Sequence, residues 1–98
     1  MPVVAVFQHP TLTRETYEQT VRKLTGGKKS RMESVADWPV KGVLVHAAGQ
    51  TDKGFRVVDI WESEAAFRQF GEKLTPILKE VGIEGAPETY STHAFVSA

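Results

Sequence analysis

The stretch Gly42-Val-Leu-Val-His-Ala-Ala-Gly-Gln-Thr-Asp-Lys-Gly-Phe-Arg-Val-Val-Asp-Ile-Trp61 constrains the fold more than any other part of the chain. Two runs rich in Val, Ile and aromatic residues flank a turn centred on Asp52-Lys53, the pattern of a β-hairpin. That turn sets Leu44 opposite Trp61, His46 opposite Asp59, Ala48 opposite Val57 and Gln50 opposite Phe55. Alternate side chains point to opposite faces, so Val43, Val45, Ala47, Val58 and Ile60 collect on the other side. This uniformly apolar side is expected to pack on helices. A one-residue slip would place Asp59 under the helices without its histidine, an unpaired carboxylate in an apolar layer. The first face, with Leu44, His46, Ala48, Phe55, Val57, Asp59 and Trp61, is too apolar to be left in water. The expected cover is a second sheet from another copy of the chain.

Around the hairpin the pattern alternates between strand and helix. Residues 3 to 8 are almost continuously apolar and β-branched, which predicts a strand covered on both faces and so central in a sheet. Thr11 or Thr13 then caps a helix with Tyr17, Val21 and Leu24 at i, i+4 and i+7, ended by Gly26-Gly27. Residues 25 to 41 read as a long connection, a kind of segment that is often mobile or functional. After strands near 42 to 50 and 54 to 61, Ser63 caps a second helix with an inward stripe of Phe67, Phe70 and Leu74. Pro76 is expected to end or kink that helix, leaving Ile77, Leu78 and Val81 for a short following one. Gly82, Gly85 and Pro87 lead to a last strand near 88 to 96. The order strand, helix, strand, strand, helix, strand predicts an α+β, ferredoxin-like βαββαβ domain over residues 1 to 98, with a four-stranded antiparallel sheet.

Composition narrows the function classes. At 98 residues the domain buries little surface per residue, which makes a homodimer through the sheet face an expected partner. Twelve basic and twelve acidic residues balance, removing the broad electrostatic case for nucleic acid or an anionic membrane. With no cysteine, thiolate catalysis and disulfides are excluded. The apolar N-terminal run lacks a basic flank and is too short to span a bilayer, so a soluble cytoplasmic protein is expected. Gly26-Gly27-Lys28-Lys29-Ser30 follows a helix and lacks P-loop spacing, and no Gly-x-Ser-x-Gly elbow occurs.

The hairpin ending Val57-Val58-Asp59-Ile60-Trp61-Glu62-Ser63, the following Glu64-Ala65-Ala66-Phe67 and the element order resemble the antibiotic biosynthesis monooxygenase-like group of the dimeric α+β barrel superfamily. The resemblance implies a homodimer whose sheets form a barrel, with a pocket in each subunit. Characterised members include oxygenases that use no metal or flavin. Relatives degrade haem or act as cyclases, isomerases or decarboxylases. Several of these enzymes use an Asn with a Trp; this chain has the strand-end Trp61 and no Asn.

Two kinds of reading are open for each candidate residue. His46 and Asp59 form a base and its orienting carboxylate, or a structural hydrogen bond or dimer contact. Trp61, with Phe7, Leu44 and Phe55, lines a substrate pocket, or fills the core. His9, just past the first strand, points into the cavity mouth or belongs to a turn, and the face of His93 is unresolved. The three histidines lie on separate strands without a paired spacing, so no metal is expected, and no cofactor. The leading expectation is a cofactor-free enzyme, monooxygenase-like or an isomerase or cyclase, acting on a small hydrophobic or aromatic metabolite by His-assisted proton abstraction. The alternative is a non-catalytic dimeric protein, ligand-binding or stress-associated.

Overall fold

The computed structural model covers Met1–Ala98 and comprises β1 (Val3–Phe7), α1 (Arg14–Leu24), β2 (Val43–Thr51), β3 (Gly54–Trp61), α2 (Glu64–Val81) and β4 (Glu88–Ser91), with a short 3-10 turn at Val35–Asp37. The strands form one antiparallel sheet in the order β2-β3-β1-β4, so the continuously apolar β1 is an internal strand. The class is α+β, and the strand order is compatible with a ferredoxin-like fold. No helix is long and apolar enough to cross a membrane.

The faces of the sheet are the reverse of the expectation. Phe55, Val57, Asp59 and Trp61 are buried together with Ala5 and Phe7, and both helices lie on their side. Val45 and Ala47 are exposed, and Val58 and Ile60 are only partly covered. Aromatic area explains the choice, since a buried Phe or Trp removes roughly 150–250 Å² from water, more than Val and Ala can match. Asp59 is tolerated beneath the helices because it arrives there with His46. The large face open to solvent is therefore the Val45, Val58, Ile60 side.

The hairpin keeps the expected register at Gln50↔Phe55, Ala48↔Val57 and His46↔Asp59, then departs from it at a bulge between Val43 and Val45. Two residues of β2 oppose one of β3 there, so Val43, not Leu44, sits across from Trp61. Val43 is buried, whereas Leu44 is 42% exposed. Next to the bulge, Gly42 has φ 113°, and a Cβ on it would lie 2.6 Å from that of Ala66. Only glycine lets β2 start this close to the first turn of α2.

Thr13 caps α1 in a reciprocal box, its hydroxyl accepting the Thr16 N–H at 3.2 Å while its own N–H donates to Thr16 Oγ1 at 2.8 Å. Such a cap contributes about 1 kcal/mol. Val21 is buried, and Tyr17 and Leu24 pack beside it against the core, as the i, i+4, i+7 spacing predicts. Ser63 caps α2 through the Ala66 N–H at 3.1 Å. Contrary to expectation, α2 runs unbroken through Pro76 to Val81. Pro76 and Glu72, whose carbonyl loses its donor, are both on the exposed side, where water can substitute. Ala66, Phe70 and Leu74 face inward. The last strand is shorter than expected, stopping at Ser91, after which Thr92 bonds Pro2 O through both its N–H and its hydroxyl.

Candidate functional site

Register alone brings His46 and Asp59 together, because directly opposed residues share a face. His46 Nδ1 lies 2.6 Å from Asp59 Oδ1, with side-chain exposures of 13% and 4%. A carboxylate buried this deeply requires a strong donor, and the imidazole Nδ1–H supplies it. In a neutral imidazole so oriented, Nε2 carries the lone pair. Tyr17 on α1 places Oη 2.8 Å from that nitrogen, so its hydroxyl donates to His46. Oη also accepts the Met32 N–H at 3.4 Å, a long and weak bond. Burial pushes the Tyr17 hydroxyl above its ordinary range; the Met32 amide opposes this, and the charge of Asp59 adds to it. The result is a chain Tyr17–His46–Asp59 running from α1 across two strands.

An apolar cavity of about 60 Å³ adjoins this chain, bounded among others by Phe7, Leu12, Tyr17, Trp38, His46 and Asp59. It is far below the roughly 300–1,000 Å³ of sites for drug-sized ligands. A second hollow of about 160 Å³ lies outside it, along Val35, Leu44 and Val45. Met32, Trp38 and His46 border both spaces and so form the wall between them. The Trp38 ring meets His46 edge-on, with centroids 4.9 Å apart at 72°, and the Tyr17 ring lies tilted against Phe55, at 5.3 Å and 40°.

The segment carrying Met32 and Trp38 is held by its own charges. Asp37 Oδ2 accepts the N–H groups of Glu33 and Ser34 at 2.8 and 3.0 Å, while Lys29 Nζ pairs with Asp37 at 3.3 Å and Glu33 at 3.2 Å. The Glu33 amide, the Ser34 amide and Lys29 hold the Asp37 carboxyl below the usual range, despite some loss of hydration. Lys29 does the same for Glu33, whose carboxylate in turn raises Lys29. Trp38 follows directly on this braced turn.

Of the residues singled out by sequence, His46, Asp59 and Phe7 meet at the inner cavity. Leu44 borders only the outer hollow, having been turned outward by the bulge. Trp61 is fully buried under α2, stacked on Phe70 at 4.8 Å and 27°, and its Nε1 has no partner; it fills core and is not part of the cavity wall. Phe55 is likewise core, against Tyr17. The His9 ring lies against Gly85, where a Cβ would come within 2.7 Å of Nδ1, away from the cavity, with Nε2 buried and unpartnered. His93 is exposed beyond β4.

Sequence reasoning missed Tyr17, Met32 and Trp38. Tyr17 was legible as the first residue of the α1 stripe, and an inward tyrosine hydroxyl needs a buried partner. Only its partner's identity required the third dimension. No group of three or more His, Asp or Glu side chains is placed to hold a metal ion. No protein-family model matches the chain, and no curated protein or solved structure is significantly similar to it.

Proposed function

We propose that this chain is a cofactor-free enzyme that removes a proton from a small hydrophobic or aromatic metabolite, with His46 as the base and Asp59 orienting it. The observation that supports this reading is the buried Tyr17–His46–Asp59 chain at the wall of an otherwise apolar cavity, which at about 60 Å³ admits a substrate only when the Met32 and Trp38 side chains between it and the outer hollow move aside. Asp59 holds the imidazole with Nδ1–H turned toward the carboxylate, which leaves Nε2 as the nitrogen that accepts the proton. The carbanion or enolate left behind can be reprotonated elsewhere, giving isomerisation or cyclisation. Attack on molecular oxygen would give a monooxygenase-like outcome by the same proton abstraction. Absence of cysteine accords with a reducing cytoplasm.

The reading includes a homodimer. The solvent-facing side of the sheet presents Leu44, Val45, Ala47, Val58, Ile60 and Tyr90, with Leu44, Val45 and Tyr90 more than a third exposed. A second copy apposed through this face would cover it and extend the structure to a dimeric α+β barrel. A non-catalytic ligand-binding dimer is the second reading, favoured by the almost wholly apolar cavity lining.

A nitrobenzisoxazole probe separates the two. Its ring opens, with release of a coloured nitrophenolate, when a base takes its single reactive C–H proton. We expect turnover by the wild type and a loss of about 100-fold or more in His46→Ala. Equal rates would remove His46 as the base, and a wild type no faster than buffer would leave only the binding reading.

A further inference from the structure

Resting on the proton-abstraction reading, we infer that Tyr17 is the catalytic residue that meets the substrate, and that His46 acts through it. Both ring nitrogens of His46 are engaged, Nδ1 by Asp59 at 2.6 Å and Nε2 by Tyr17 at 2.8 Å. The ring itself is flanked by Tyr17, nearly parallel at 6.0 Å, and by the edge of Trp38. No lone pair of the imidazole is left for an incoming proton. Tyr17 Oη, by contrast, donates once and accepts only the long Met32 N–H bond, which leaves acceptor capacity on an oxygen of a cavity-lining residue.

The step balances as a relay. The substrate C–H bond breaks, its electron pair stays on carbon, and the proton forms a new O–H bond on Tyr17. In the same event the original Tyr17 O–H bond breaks and its proton passes to His46 Nε2. The products are a substrate carbanion or enolate and an imidazolium held by the Asp59 carboxylate, with Tyr17 neutral before and after. A standing tyrosinate is not needed, and the burial that raises the Tyr17 hydroxyl disfavours one. Transfer in the reverse direction returns the proton to a different substrate atom, which is the requirement of an isomerase.

Tyr17→Phe tests the relay with the nitrobenzisoxazole probe, because it keeps the ring that packs on Phe55 while uncapping His46. The relay predicts a fall in kcat of about 100-fold with KM within about 2-fold, the size of a lost acid–base group. It also predicts a solvent deuterium isotope effect on kcat that is present in the wild type and absent from the residual Tyr17→Phe rate, which a packing role would not produce. A Tyr17→Phe enzyme as fast as the wild type, or faster, overturns the relay and makes His46 the direct base. A wild type no faster than His46→Ala overturns the proton-abstraction reading as well, so the two failures are distinct.

Discussion

Tyr17 on α1 and His46 on β2, separated by 29 positions in the chain, are joined by a 2.8 Å hydrogen bond. The bond ties the helix layer to the sheet at the point where a carboxylate is buried. Fold stability and the proposed chemistry therefore depend on the same three side chains, and substitutions there carry separable signatures.

The His46–Asp59 pair predicts unequal losses. His46→Ala leaves the Asp59 carboxylate buried without its donor and should cost about 3–5 kcal/mol. Asp59→Asn keeps a carbonyl that accepts Nδ1–H and should cost about 1 kcal/mol. Urea denaturation at neutral pH compares them, and equal losses would mean that the buried Asp59 side chain does not depend on His46 for its donor.

Acid should release the segment that carries Trp38. The Asp37 and Glu33 carboxyls are held below their unfolded values of about 3.9 and 4.3. Their stabilisation is thus complete above those values and lost as pH falls through the lower folded ones. Amide resonances of Glu33 and Ser34 should shift with a midpoint below about pH 3.9, and Asp37→Asn should abolish that titration. A midpoint at or above the ordinary value would contradict the bracing role given to Asp37.

Trp38→Ala should open the wall between the inner and outer spaces. A single apolar space would then reach His46 from the sheet edge. An anilinonaphthalene sulfonate dye should bind several-fold more tightly to the variant than to the wild type, with the thermal midpoint lowered by the loss of Trp38 packing on the core and His46. Unchanged dye affinity would show that Trp38 does not separate the two spaces.

The open sheet face predicts the assembly. The wild type should sediment at twice the 10.8 kDa chain mass. Val45→Lys, which adds a charge at a position already 38% exposed in the single chain, should sediment at the chain mass with an intact fold. A wild type at the single-chain mass would rule out the dimer, and a dimeric Val45→Lys would move the interface elsewhere.

Local pattern carried much of the architecture. The helix caps at Thr13 and Ser63, the central position of β1 and the His46–Asp59 opposition all follow from side-chain chemistry within a few residues or from strand pairing. Pro76 shows the limit of a local rule, since the cost of a missing donor depends on whether water reaches the freed carbonyl. Leu44 shows another. A bulge adds one residue to one strand, and nothing in Val43-Leu44-Val45 distinguishes which of three similar side chains it displaces.

From Val45 to Trp61, alternation in β2 and β3 determined which residues travel together on a face, because an extended backbone points successive side chains to opposite sides. Which of the two faces receives the helices was decided only in three dimensions, by comparing what each face buries against α1 and α2. The same comparison drew Trp61 into the core, set Tyr17 on His46 and brought the edge of Trp38 against His46. Contacts between residues distant in the chain depend on the whole packing, and no local period encodes them.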